Sequence, residues 1–99
     1  MTEYLKAIRK LVEAMIKEGN ATTVEVVCVE DDQKFPVDRI DLILDYAESV
    51  DDVTGIIAYK KDTKLGWFGI EPENEDILDI IYDYTDNDYC AGIMEQISK

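Results

Sequence analysis

Apolar and polar positions follow two rhythms along this chain. Over the first twenty residues the spacing is helical: Tyr4, Leu5, Ile8, Leu11, Val12, Met15 and Ile16 form an i, i+3, i+4 stripe. Thr2 suits the N-cap, and Gly19 supplies the left-handed residue at which helices commonly end. Lys6, Arg9, Lys10 and Lys17 lie on or beside the outer face, but Glu3 and Glu13 offset them, so the helix is read as a core cover. The run Thr22–Glu30 is rich in β-branched residues and predicts a strand, with Val24, Val26 and Cys28 on one face and Val27 and Val29 on the other. Apolar residues on both faces predict an inner strand or one covered on both sides. Glu30, Asp31 and Asp32 then form an acidic loop; no turn glycine or closing glutamate makes it a calcium loop, so it is read as a solvated turn.

Helical spacing returns from Val37 to Asp52, with Pro36 suited to the first turn. Ile40, Ile43, Ala47 and Val50 fall on one side, and Asp38, Asp41, Asp45, Glu48 and Asp52 share a narrow arc on the other. A hairpin follows, with strands at Thr54–Lys60 and Leu65–Ile70 and a basic turn between them. Pro72 and Asn74 offer start signals for a second acid-edged helix ending near Thr85. There Asp76, Asp79, Asp83 and Asp86 repeat the spacing opposite Ile77, Leu78, Ile81 and Tyr84, and Tyr82 flanks the acidic surface. A short helix over Tyr89–Ser98, with Cys90, Ile93, Met94 and Ile97 inward, ends the order α-β-α-β-β-α-α. The expectation is one α+β domain over residues 1–99: a single-layer sheet of about three strands packed against amphipathic helices. The β-α-β portion predicts parallel first and second strands joined by a right-handed crossover.

Charge changes this picture more than overall composition does. Ten basic and 23 acidic residues leave −13, with no histidine. Residues 1–20 sum to +1, 21–50 to −6, 51–70 to zero and 71–99 to −8, so the excess sits in the segments that hold the two acid edges. Such a chain repels nucleic acid and anionic membranes and is drawn to basic protein surfaces. Cys28 and Cys90 have no metal or disulfide-framework spacing and read as reduced core thiols. No apolar run resembles a signal or a membrane span, which predicts a cytoplasmic protein.

Catalytic patterns are absent from the sequence. Without histidine there is no triad and no ready proton shuttle near neutral pH. No glycine-rich phosphate loop is present, and abundant carboxylates disfavour a reactive thiolate. The expectation is a non-enzyme with no cofactor and no metal.

The acid edges carry an energetic cost. Like charges three or four apart destabilise a helix by about 0.2–0.5 kcal/mol each, so seven such pairs amount to roughly 1.5–3.5 kcal/mol at low salt. That cost points to a use for the negative edge itself. Each edge carries a carboxylate every ~5 Å, and two side by side approach the charge density of duplex DNA, one per ~1.7 Å. In size and charge the chain resembles phage anti-restriction and anti-CRISPR inhibitors and the immunity proteins of nuclease toxins, though no motif ties it to them. The leading expectation is therefore a non-catalytic inhibitor docking on a basic nucleic-acid-binding protein through Asp38, Asp41, Asp45, Glu48, Asp52, Asp76, Asp79, Asp83, Asp86 and Tyr82. The alternative is a structural or assembly module that binds a protein through an apolar patch near Trp67 and Phe68, its charge serving only solubility.

Overall fold

The computed structural model describes residues 3–50, 53–70, 80–82 and 88–98. Helix α1 (Glu3–Glu18) leads into strands β1 (Thr23–Cys28) and β2 (Gln33–Pro36), helix α2 (Ile40–Ser49), strands β3 (Val53–Lys60), β4 (Thr63–Ile70) and β5 (Ile80–Tyr82), and helix α3 (Asp88–Ser98). The strands form one sheet in the order β2-β1-β3-β4-β5, every neighbouring pair antiparallel. The α+β class and the single sheet agree with the sequence pattern, and two short strands widen the sheet beyond the three expected.

The core lies between that sheet and the helices. Leu5, Ile8, Leu11, Val12 and Met15 of α1 are buried, as are Ile43, Leu44 and Ala47 of α2 and Cys90 and Ile93 of α3. They form one cluster with Val24, Val26, Ile56, Ala58 and Phe68 of the sheet. Those five sheet residues share a face by register: Val24 pairs with Ala58, Val26 with Ile56, and Ile56 with Phe68. All three helices therefore cover the same face, with α1 packed between α2 and α3. Gly19, at φ 76°, closes α1 as expected, its N–H donating to the Met15 carbonyl at 3.0 Å. Ile16 is the exception in the apolar stripe and remains 42% exposed.

Three sequence expectations are corrected. β2 is a strand where only a loop into helix was expected. It is short and polar, and Pro36 ends it instead of opening α2, a position an edge strand tolerates because its outer side needs no ladder donor. Because β2 reverses the chain before α2, β1 and β3 are antiparallel; the parallel pair across the α2 crossover is β2 and β3, with β1 between them. β1 is an inner strand, the first of the two readings its apolar faces allowed: Val24 and Val26 are buried, Val27 is half-buried, and Val29, beyond the strand, is 75% exposed. Finally, residues 80–82 form a strand inside the stretch expected to be the second acid-edged helix. Ile-Ile-Tyr is a β-favouring triplet, and the open edge of β4 takes it up by pairing Ile70 with Ile80 and Phe68 with Tyr82.

Candidate partner-binding surface

On α2 the sequence pattern resolves into a shorter acidic edge than expected. Asp41, Asp45 and Glu48 stand exposed on the helix, and exposed Asp38 occupies the turn before it. Asp52, Asp76, Asp79, Asp83 and Asp86 lie outside the described residues. Tyr82 belongs to β5, a strand within the stretch where the second acid-edged helix was expected. Of the seven like-charge pairs counted on helical spacing, only Asp41/Asp45 and Asp45/Glu48 fall on a described helix.

Arg39, which the charge pattern passed over, sits at the helix N-cap and grips Asp41 with two parallel bonds. Nε donates to Oδ1 at 3.1 Å and a terminal nitrogen donates to Oδ2 at 3.0 Å. That hydrogen bonding holds the Asp41 carboxyl below its ordinary range and raises the guanidinium in turn. Both groups are exposed, so the pair fixes geometry more than it adds stability. It also removes one charge from the edge, leaving Asp38, Asp45 and Glu48 to face solvent.

The acidic loop between β1 and β2 is more organised than a solvated turn. The Asp31 carbonyl accepts from the Cys28 thiol at 3.2 Å and from the Tyr46 hydroxyl. Cys28 N–H donates to Asp32 Oδ1 at 3.2 Å, and Gln33 donates to Asp31 Oδ2 at 2.6 Å. Tyr46 also stacks its ring on Phe35 of β2, with centroids 5.5 Å apart. One tyrosine thus fastens α2 to the loop, in which Glu30, Asp31 and Asp32 are exposed.

Tyr46 yields a test of this clamp. The hydrogen bond with Cys28, then burial, then the negative charge around Asp31 and Glu30, push its hydroxyl up to about 12 from an ordinary 10. A pKa raised in the fold means stability is fully present below pH ~10 and declines as pH rises toward 12, because the unfolded chain loses that proton first. Tyr46→Phe is expected to lower stability at pH 7 and to flatten part of that alkaline decline. Denaturant titrations at several pH values measure both effects.

The opposite end of the sheet is basic. Lys61 and Asp62 form the two-residue turn between β3 and β4, with Lys61 at φ 56°, and exposed Lys60 and Lys64 flank it. Lys34 places its ammonium 4.3 Å from the centre of the Tyr59 ring, and the Tyr59 hydroxyl donates to Glu25 at 2.7 Å. Elsewhere, an open cleft of about 390 Å³ between α1 and α3 is lined by Lys10, Glu13, Ala14, Lys17, Gln96 and Ile97.

The aromatic patch expected near Trp67 and Phe68 is divided by the sheet. Phe68 points into the core and is fully buried, while its neighbour Trp67 faces away from the described helices, with its indole close to Gly55. Cys28 and Cys90 are buried, as their apolar surroundings implied. Among the described residues no three His, Cys, Asp or Glu side chains converge as a metal-ligand set, and no helix is long and apolar enough to cross a membrane.

These features define an α+β protein whose described helices cover one face of an antiparallel sheet. No protein-family model matches the chain, and no curated protein or solved structure is significantly similar to it.

Proposed function

We propose that the protein is a cytoplasmic, non-catalytic binding protein of the acidic-inhibitor kind, the class that includes anti-restriction, anti-CRISPR and nuclease-immunity proteins. It docks on a basic nucleic-acid-binding protein by presenting carboxylates where phosphates would lie. The observation that carries this reading is the Tyr46 clamp. It ties α2 to the β1–β2 loop, and Asp45 and Glu48 on the helix and Glu30, Asp31 and Asp32 in the loop are all exposed. Preorganised charge of this sort steers encounter and selects partners more than it adds raw affinity.

The form of the imitation differs from the duplex-like pairing of two helices. One edge with a carboxylate every ~5 Å comes nearer to a single nucleic-acid strand, with a charge every ~3.4 Å along the axis, than to both strands of a duplex. Arg39 neutralises the Asp41 position, so Asp38, Asp45 and Glu48 are the residues that meet the partner's lysines and arginines.

Affinity capture from native lysate tests the proposal, with wild type beside an Asp38→Asn, Asp45→Asn, Glu48→Gln variant at low and raised salt. The expected result is a basic nucleic-acid-binding protein retained by wild type at low salt and lost with the variant or with salt. Capture of the same protein by both chains, indifferent to salt, overturns it.

A further inference from the structure

We infer that Asp41 is a guanidinium seat at the start of α2, masked by the chain's own Arg39, and that a basic partner takes it only by exchanging an arginine for that residue. Resting on the docking role proposed for the α2 edge, the seat names the side chain that the partner brings to one position. Arg39 displays the chemistry: its Nε and a terminal nitrogen donate to the two Asp41 carboxylate oxygens at 3.1 and 3.0 Å. A guanidinium presents both donors in one plane, matched to the carboxylate, whereas an ammonium is a single point of charge. An incoming arginine therefore replaces both bonds, and the exchange is close to even. An incoming lysine cannot replace the fork, and Arg39 stays.

The occupant is held loosely enough to leave. The Arg39 backbone is fixed by the turn into α2, with its N–H donating to the Pro36 carbonyl at 3.0 Å and its carbonyl accepting from the Ile43 N–H at 3.2 Å. Its side chain makes no helix cap, and among the described residues its hydrogen bonds are the two to Asp41. The two side chains are 52% and 62% exposed, so water competes for both and separating them costs little. Releasing the guanidinium therefore leaves the turn and the helix start intact. Asp38, Asp45 and Glu48 are also exposed but have no such internal cation among the described residues, so lysine and arginine reach them alike. Discrimination between the two cations is thus concentrated at Asp41, where a competitor already in place excludes one of them.

Anisotropy titrations with labelled octa-arginine and octa-lysine, probes of equal charge, test the inference on wild type and Arg39→Lys at matched salt. Arg39→Lys keeps the net charge but weakens the mask. It is expected to bind octa-arginine about two- to fivefold more tightly than wild type does, with octa-lysine nearly unchanged. Adding Asp41→Asn is expected to remove that gain. Arg39→Lys that binds octa-arginine no more tightly than wild type overturns the inference, as does a gain shared equally by octa-lysine or one that survives Asp41→Asn. Should Arg39→Lys lose the wild-type circular dichroism spectrum, Arg39→Gln replaces it, with a gain for octa-arginine expected to exceed that for octa-lysine. The Asp38→Asn, Asp45→Asn, Glu48→Gln variant separates the seat from the docking role itself. If that variant binds both probes as tightly as wild type, the α2 edge is not the docking surface, whatever Arg39→Lys does.

Discussion

Phe68→Ala is expected to be among the most damaging single substitutions, costing about 3–5 kcal/mol. Phe68 is the largest of the fully buried side chains, pairs across the sheet with Ile56, and meets the Tyr89 ring edge-on with centroids 6.5 Å apart. Truncation leaves a cavity between β4 and α3 that neither element can fill without shifting the other. Against a typical total of about 5–15 kcal/mol, such a loss lowers the melting temperature by about 15–30 °C. Trp67→Ala, one residue away, is expected to cost far less, because the indole covers the outer face. Thermal melts of both variants measure the contrast, and equal losses would mean that the orientation of β4 is wrong.

Gly55→Val is expected to be nearly as severe, for the opposite reason. A Cβ at this position would meet the Phe68 carbonyl oxygen at 2.9 Å as well as the Trp67 indole. The indole can rotate away, but the carbonyl belongs to the neighbouring strand and cannot yield without opening the β3–β4 ladder. The expected cost is about 1–3 kcal/mol for alanine and more for valine. Adding Trp67→Ala should recover only the part owed to the indole, and a double-mutant cycle by denaturant titration separates the two contributions.

Tyr89 predicts a change in the favourable direction. Its hydroxyl is buried with no hydrogen-bond partner among the described residues, and burial raises its pKa well above the ordinary tyrosine value. Tyr89→Phe keeps the ring against Phe68 and removes the unsatisfied oxygen, so stability is expected to hold or rise by up to about 1 kcal/mol. The opposite signs expected for Tyr46→Phe and Tyr89→Phe distinguish a hydroxyl that clamps from one that is merely buried.

Elements with a strong repeating pattern were legible in the sequence. The α1 stripe and its Gly19 stop, the β1 run, the β3–β4 hairpin and the final helix each carry several residues of consistent spacing, and all are present. β2 was not legible, because a four-residue edge strand with one large apolar side chain, Phe35, has no periodicity to read. Residues 80–82 misled for another reason. The Asp76 to Asp86 spacing fits a helix, but Ile80 to Tyr82 also fits a strand, and pairing with β4 decides between them. The acidic residues of α2 were legible one by one. The contacts around them were not: Tyr46 reaches the Asp31 carbonyl across fifteen positions of sequence, and Arg39 reaches Asp41 through a helix start placed three residues later than Pro36 implied.

The most direct test of the acidic surface is displacement of nucleic acid from the captured basic protein. Labelled DNA is bound to that protein, and its release is followed on adding this chain or the Asp38→Asn, Asp45→Asn, Glu48→Gln variant. Carboxylates standing in for phosphates predict that wild type releases the DNA, that raised salt suppresses its binding, and that the variant needs at least about tenfold more protein to match it. DNA that stays bound while wild type binds alongside it would contradict the account, because the α2 edge would then occupy some surface other than the one that phosphates use.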